Sequence, residues 1–219
     1  MDHREAGGLL VLRGLGGGQF DAPGIVADAG GDPYWGMAVG DLNGDGRPDV
    51  VTPNPDEVGV LINVSEEGIA FDRATPVPVV SPFAVGLGDL NDDGHLDLIA
   101  APGGGPPVAQ LFLGDGTGEF EEFDGSPFRA GSGAKRIAIG DFNGDGADDA
   151  AIASYESSDV LILLGGVSAI RMTSVPGGEH PWGMAVADLN RDGKDDLVIA
   201  DDAAPQAIVY VSLPSRPAP

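Results

Sequence analysis

The chain reads as an all-β protein assembled from one supersecondary unit repeated four times. Three observations predict this. A nine-residue pattern, D-x-N-x-D-G-x-x-D, occurs at Asp41–Asp49, Asp89–Asp97, Asp141–Asp149 and Asp188–Asp196, with first residues 48, 52 and 47 apart. A self-similar period near 50 is the mark of one unit stacked on itself. The 36 Gly and 18 Pro argue for many turns, and no long stretch carries an amphipathic helical period.

Taken in order, residues 1–8 are polar, read as a disordered leader and have no signal-peptide character. Leu9-Leu10-Val11-Leu12 is a short apolar strand. The run from Val11 to Phe20 aligns with that from Leu111 to Phe120, an offset of 100 residues or two repeats. The chain is therefore expected to enter halfway through a unit (9–30), with a third strand, a Gly-rich turn and a fourth strand near Gln19–Val26. Full repeats follow at 31–80, 81–132 and 133–179, then a shorter one at 180–213 and a loose Pro-containing tail at 214–219.

Within each repeat the first strand is Gly36–Gly40, Ala84–Gly88, Arg136–Gly140 or Gly183–Ala187. Large residues (Met37 and Val39, Val85 and Leu87, Ile137 and Ile139, Met184 and Val186) alternate with small ones (Ala38 and Gly40, Gly86 and Gly88, Ala138 and Gly140, Ala185 and Ala187). Period two places the two sets on opposite faces, and both are apolar, as expected of sheets packed between neighbours. A second strand such as Leu98–Ala100 or Leu197–Ile199 follows the nine-residue loop. The third is Val58–Ile62, Val108–Leu113, Val160–Leu164 or Ala207–Val211, and the fourth lies near Ala70–Arg73, Phe120–Phe123 and Ile170–Thr173.

The loop is suited to calcium, a hard cation that takes roughly 6–8 oxygen ligands at about 2.3–2.6 Å. Positions 1, 3 and 5 supply side-chain oxygens: Asp41, Asn43 and Asp45; Asp89, Asn91 and Asp93; Asp141, Asn143 and Asp145; Asp188, Asn190 and Asp192. Glycine at position 6 permits the sharp turn. Position 7 would offer its carbonyl, which explains why its side chain wanders through Arg47, His95, Ala147 and Lys194. Asp49, Asp97, Asp149 and Asp196 at position 9 would close the cage. Magnesium suits such a loop less well, and zinc lacks Cys or His ligands here. An EF-hand needs an acid at position 12 and flanking helices, but that position holds Thr52, Ala100, Ile152 and Ile199, and the flanks are strand-like.

Four such loops between hydrophobic strands, as in Met37-Ala38-Val39-Gly40 before and Val50-Val51-Thr52 after, resemble the FG-GAP/VCBS repeat of integrin-α-like propellers. The resemblance covers about residues 9–213. It implies a β-propeller of four-stranded antiparallel blades with calcium, about four ions, held between the first and second strands of each blade. The strands total seventeen where a closed four-bladed ring needs sixteen. Two arrangements follow: a four-bladed ring in which the strand at Gln19–Val26 clasps the last blade, or part of a larger propeller. Entry in mid-blade favours the second.

A formal net charge of −24, from 35 acids and 11 bases, excludes a basic nucleic-acid surface and disfavours anionic membranes. Four bound Ca²⁺ would bring the charge to −16. There is no Cys for a disulfide and no apolar run long enough to cross a membrane. Calcium loops of this type fill at extracellular calcium levels, so secretion or a cell-surface location is expected, with any signal removed or lying upstream.

The position six residues before each loop holds Trp35, Phe83, Lys135 or Trp182, and Tyr34 and His180 adjoin it. At the start of four innermost strands these would ring one mouth of the central channel. There they could stack on sugar rings or anchor a protein partner. The competing reading is that they cap the core between blades. No catalytic constellation accompanies His3, His95 or His180, and no nucleophile elbow, phosphate loop or zinc-protease motif occurs. The expectation is a non-catalytic binding module for an extracellular glycan or protein, with self-association to complete blades as a further possibility. The alternatives are a polysaccharide lyase or hydrolase using His180 and Tyr34, or a structural spacer of a larger surface protein.

Overall fold

The computed structural model describes residues 8–22, 24–28, 36–66, 68–166 and 170–212. All of the regular elements among them are strands, and every named pairing is antiparallel. An N-terminal ribbon pairs β1 (Gly8–Val11) with β4 (Gly24–Asp28), and β2 (Gly14–Gly16) with β3 (Gln19–Phe20) between them. Sheet one is β5 (Ala38–Gly40), β6 (Asp49–Pro53), β7 (Glu57–Asn63) and β8 (Phe71–Arg73), with β9 (Val77–Pro78) also on β7. Sheet two is β10 (Pro82–Gly88), β11 (Asp97–Pro102), β12 (Val108–Gly114) and β13 (Phe120–Glu122), with β14 (Phe128–Arg129) on β12. Sheet three is β15 (Ala134–Gly140), β16 (Asp149–Ser154), β17 (Asp159–Leu164) and β18 (Arg171–Pro176). Sheet four has three strands, β19 (Pro181–Ala187), β20 (Asp196–Asp201) and β21 (Ala207–Tyr210).

The alternation of large and small residues sets how the sheets stack. Cross-strand register lines up one apolar row per face. The rows Ala38–Val51–Val60, Gly86–Ile99–Leu111 and Ala138–Ala151–Ile162 face the following sheet. The rows Leu87–Leu98–Phe112, Ile139–Ala150–Leu163 and Val186–Leu197–Tyr210 face the preceding one. Each pair of facing rows forms one buried cluster, so three successive interfaces are built to one plan. Close approach depends on the small residue: a Cβ built on Gly86 would lie 2.6 Å from Cγ2 of Ile137, and one on Gly88 2.7 Å from Cγ2 of Ile139. Burying each large aliphatic contributes roughly 1.5–3 kcal/mol. The result is a propeller-like arc whose innermost strands pack in the order β5, β10, β15, β19.

Among the described residues the N-terminal strands do not pair with sheet four. β4 pairs with β1, not β21, and Leu9 packs on Val50 and Leu61 of sheet one. The physical reason is the same row matching: Val50 and Leu61 belong to the face that calls for a preceding sheet, and the ribbon covers its outer half. Residues 1–7 of the expected leader and 213–219, which include the tail, lie outside the described residues.

Candidate functional site

The four acidic loops fold alike, each closed by its own backbone. In the first loop, Oδ1 of Asp41 accepts the N–H of Asp45 (3.1 Å) and Oδ2 accepts that of Gly46 (2.8 Å). Asp89, Asp141 and Asp188 do the same for Asp93 and Gly94, Asp145 and Gly146, and Asp192 and Gly193. Oδ1 of Asp45, Asp93, Asp145 and Asp192 accepts the N–H of Arg47, His95, Ala147 and Lys194. Asn43, Asn91 and Asn190 each accept the N–H of the fifth residue, whereas Asn143 turns its amide toward Asp149. Two positions need a left-handed backbone. One is the sixth-position glycine; the other is the fourth position, held by Gly44 and Gly144 but also by Asp92 (φ 59°) and Arg191 (φ 61°).

The ninth residue is a staple. Oδ2 of Asp49, Asp97, Asp149 and Asp196 accepts the N–H of Leu42, Leu90, Phe142 and Leu189. Oδ1 accepts the N–H of Asn63, Gly114, Gly165 and Ser212, thereby tying the loop to the end of the third strand. All four side chains are buried. Burial pushes Asp97 and Asp149 up to about 6, against their hydrogen bonds and with help from neighbouring loop carboxylates. Asp49 is raised for the same reason. At Asp196 burial also pushes upward, but bonds led by the Ser212 N–H and hydroxyl outweigh it and the carboxyl falls below its ordinary range.

Sequence reasoning missed the eighth position. The N–H of Asp89 donates to Oδ2 of Asp148 (2.8 Å) and the N–H of Asp148 returns a bond to the Asp89 carbonyl (2.9 Å). Asp141 and Asp195 repeat this exchange at 3.1 and 2.8 Å. The second Asp of the D-D endings at 148–149 and 195–196 was the available signal. Pro48 and Leu96 hold that place in the first two loops, with no carboxylate to clamp a neighbour.

Each loop offers an oxygen-only donor set, which fits a hard divalent cation. These oxygens are turned to N–H groups, and Arg47 pairs with Asp45 at 2.6 Å in the first loop. Among the described residues no three His, Cys, Asp or Glu side chains gather as a metal centre.

At the opposite end of the innermost strands a second cluster forms. Phe83, Lys135 and Trp182 are each the second residue of their strand, and the structure brings them together. The Lys135 ammonium lies 4.9 Å from the Phe83 ring centroid and 5.6 Å from that of Trp182. It is also 5.4 Å from the ring of Tyr155, which sequence reasoning did not select. His180 stacks on Tyr155 with centroids 4.2 Å apart, and Trp182 meets Tyr155 edge-on at 5.6 Å. Trp182 is exposed; Phe83, Lys135, Tyr155 and His180 are half-buried. Tyr155 follows β16, and only packing of neighbouring sheets carries it to the first strands of sheets three and four. Tyr34 and Trp35 lie outside the described residues. Beside the cluster a cleft of about 410 Å³ is lined by Pro55, Ser81, Pro82, Phe83 and Gly103–Gly105. The Phe83 side chain packs against Gly103, where a Cβ would come within 2.6 Å of its Cγ.

Repeated antiparallel sheets with acidic loops at one end define an all-β repeat protein with a propeller-like fold. The chain belongs to the FG-GAP-like repeat family, whose model matches residues 4–52, 89–152 and 141–199. No curated protein matches it. Among solved structures it is similar to an Agrocybe aegerita lectin that recognises non-reducing terminal N-acetylglucosamine. That match has a TM-score of 0.57 and 17% identity over 95% of this chain and 61% of the lectin. It is also similar to BBS1N, solved in complex with ARL6DN, with a TM-score of 0.56 and 12% identity over 82% of this chain and 57% of that one. The chain thus spans about three fifths of the length of both. No helix among the described residues is long and apolar enough to cross a membrane.

Proposed function

We propose that this protein is a non-catalytic, calcium-stabilised propeller module that binds an extracellular glycan through the Phe83–Lys135–Tyr155–Trp182 cluster. The observation that carries the reading is the cluster itself: an exposed indole and two further aromatic rings around one ammonium, beside an open cleft. Aromatic faces stack on the C–H faces of sugar rings, and an ammonium donates to hydroxyl or acetamido oxygens. The cleft falls within the roughly 300–1,000 Å³ typical of small-ligand sites. A sugar-binding structural neighbour is consistent with a glycan ligand.

Calcium would be held by Asp41, Asn43, Asp45, the Arg47 carbonyl and Asp49, and by the matching residues of the other three loops. The ion would neutralise carboxylates that otherwise repel one another. Asp49, Asp97, Asp149 and Asp196 would keep their backbone bonds and reach the ion through remaining lone pairs. The test is binding of a glycan panel that includes terminal N-acetylglucosamine, in calcium and in chelator, for wild type and Trp182→Ala, Tyr155→Ala and Lys135→Ala. A loss of about two- to tenfold in affinity is expected for Trp182→Ala, since stacking contributes about 0.5–1.5 kcal/mol beyond area burial. Glycan binding that all three variants retain, or no binding by wild type, would overturn the assignment. Melting that is identical in calcium and chelator would overturn the role of the ion.

A further inference from the structure

Three β-bulges place the aromatic cluster. In β10 the register steps from Pro82–Pro102 to Ala84–Ala101, in β15 from Ala134–Ser154 to Arg136–Ala153, and in β19 from Pro181–Asp201 to Gly183–Ala200. Phe83, Lys135 and Trp182 are the residues passed over, one in each strand at the same place. A bulged residue leaves the ladder, and the local bend re-aims its side chain, which is why bulges gather beside functional sites. Here three successive bulges turn three side chains to one point, where the Lys135 ammonium lies 4.9 and 5.6 Å from the ring centroids of Phe83 and Trp182.

The surroundings of that ammonium are unusual for this chain. Arg47 and Arg73 pair with Asp45 and Glu57. Lys135 has no carboxylate partner among the described residues, although the chain has 35 acids to 11 bases. Its neighbours are the rings of Phe83, Tyr155 and Trp182. Acids at the same end of the sheets are engaged elsewhere: Asp201 accepts the N–H groups of Glu179 and His180, and Asp159 accepts the Ser157 hydroxyl. Ring faces balance positive charge but are poor hydrogen-bond acceptors, so the N–H donors of the ammonium stay available. The acidic loops do not oppose an incoming anion. Asp141 stands six residues beyond Lys135 along β15, about 20 Å away at roughly 3.3 Å per residue. That is more than twice the screening length of about 8 Å in 0.15 M salt.

We propose that Lys135 sets the ligand class of this cluster, resting on its assignment as a glycan site: the ligand is an acidic glycan, whose carboxylate or sulfate oxygens accept from the Lys135 ammonium. A charge-assisted bond of this kind is about twice as strong as one to a neutral hydroxyl, and the aromatic walls keep water from weakening it. Trp182, 42% exposed, offers its indole face to the ring that bears the acidic group. Phe83 joins the cluster to the cleft lined by Pro55, Ser81, Pro82 and Gly103–Gly105, which carries no charged side chain and suits the adjoining neutral sugar.

The test is calorimetric titration of the whole chain, in calcium and about 0.15 M salt, with two matched pairs of probes. One pair is a disaccharide ending in glucuronic acid and the same disaccharide ending in glucose; the other is N-acetylglucosamine 6-sulfate and N-acetylglucosamine. Each probe carries at most one acidic group, so calcium does not bridge it to the loops as it would a polyanion. Wild type is expected to bind the acidic member of at least one pair roughly tenfold or more tighter than its neutral partner. The pair that shows the preference tells carboxylate from sulfate. Lys135→Gln and Lys135→Met, both uncharged and of similar length, are expected to bind the two members of a pair alike, and their hold on the neutral member shows that they are folded. Equal affinity within both pairs for wild type overturns the proposal and leaves the glycan reading standing, as does a preference that either variant retains. No binding of any probe by wild type overturns the glycan reading and the proposal with it.

Discussion

Gly86→Ala tests the packing plan at its tightest point. The new methyl group would stand 2.6 Å from Cγ2 of Ile137 and 3.3 Å from Cδ1 of Ile139, where carbon–carbon contacts prefer about 3.5–4.0 Å. Ile137 is 8% exposed and sits in a cluster with Ile99, Leu111, Ile152 and Leu163, so it has no open space to recoil into. Overpacking of this kind costs about 1–3 kcal/mol, and replacing a strand glycine recovers about 0.5–1 kcal/mol of backbone entropy. A net destabilisation of about 1–2 kcal/mol is expected, or about 2–8 °C in melting temperature for a domain of this size. The assay is a double-mutant cycle by urea denaturation in chelator. Ile137→Ala removes the clashing Cγ2, so the pair Gly86→Ala and Ile137→Ala should be about 1 kcal/mol or more better than additive. Ile137→Val keeps Cγ2 and should give no rescue. If Gly86→Ala is neutral, or if both Ile137 variants behave alike, the small-against-large account of the interface is wrong.

Protonation gives a second prediction. Asp97 and Asp149 have folded-state pKa values of about 6 against 3.8 unfolded, with burial as the main cause. The folded state therefore holds those protons more tightly. In chelator, stability is expected to rise as pH falls through about 6 toward about 4, by at most about 3 kcal/mol per group. Asp201 runs the other way. Backbone N–H groups of Glu179 and His180 hold it at about 2, so its contribution is present above the unfolded value and lost in acid. The checks are urea midpoints across this range for wild type and Asp97→Asn; the variant should flatten the rise, and an unchanged slope would remove Asp97 from the explanation. Third, Arg191→Gly and Asp92→Gly each relieve a left-handed residue that costs roughly 1–2 kcal/mol, less the entropy of a flexible glycine. Thermal melts should show each variant more stable by about 0.5 kcal/mol, and a loss of stability would contradict the strain.

Several features were open to sequence reading because they are local. The sixth-position glycines Gly46, Gly94, Gly146 and Gly193 announce a left-handed turn, and all four adopt one. The alternation in Ala84–Gly88 and Arg136–Gly140 declares two apolar faces, and residue period alone sets which side chains share a face.

Other features were fixed only by the assembled sheets. Tyr155 stands in no repeat position that marks it, and it joins Lys135 and His180 because sheets three and four meet there. The eighth-position clamp needs a neighbouring loop within about 3 Å, which nothing in the nine-residue pattern reveals. The destination of the N-terminal strands was decided by competition between surfaces. Among the described residues sheet four ends at β21, but Val50 and Leu61 offer a buried apolar row to Leu9, and burial of apolar surface draws the N-terminal strands there. Sequence alone determined the repeating unit and the chemistry of its loops, because both are written in short-range spacing. The tertiary structure decided which rows meet and which side chains they bury, because that depends on which sheet packs against which.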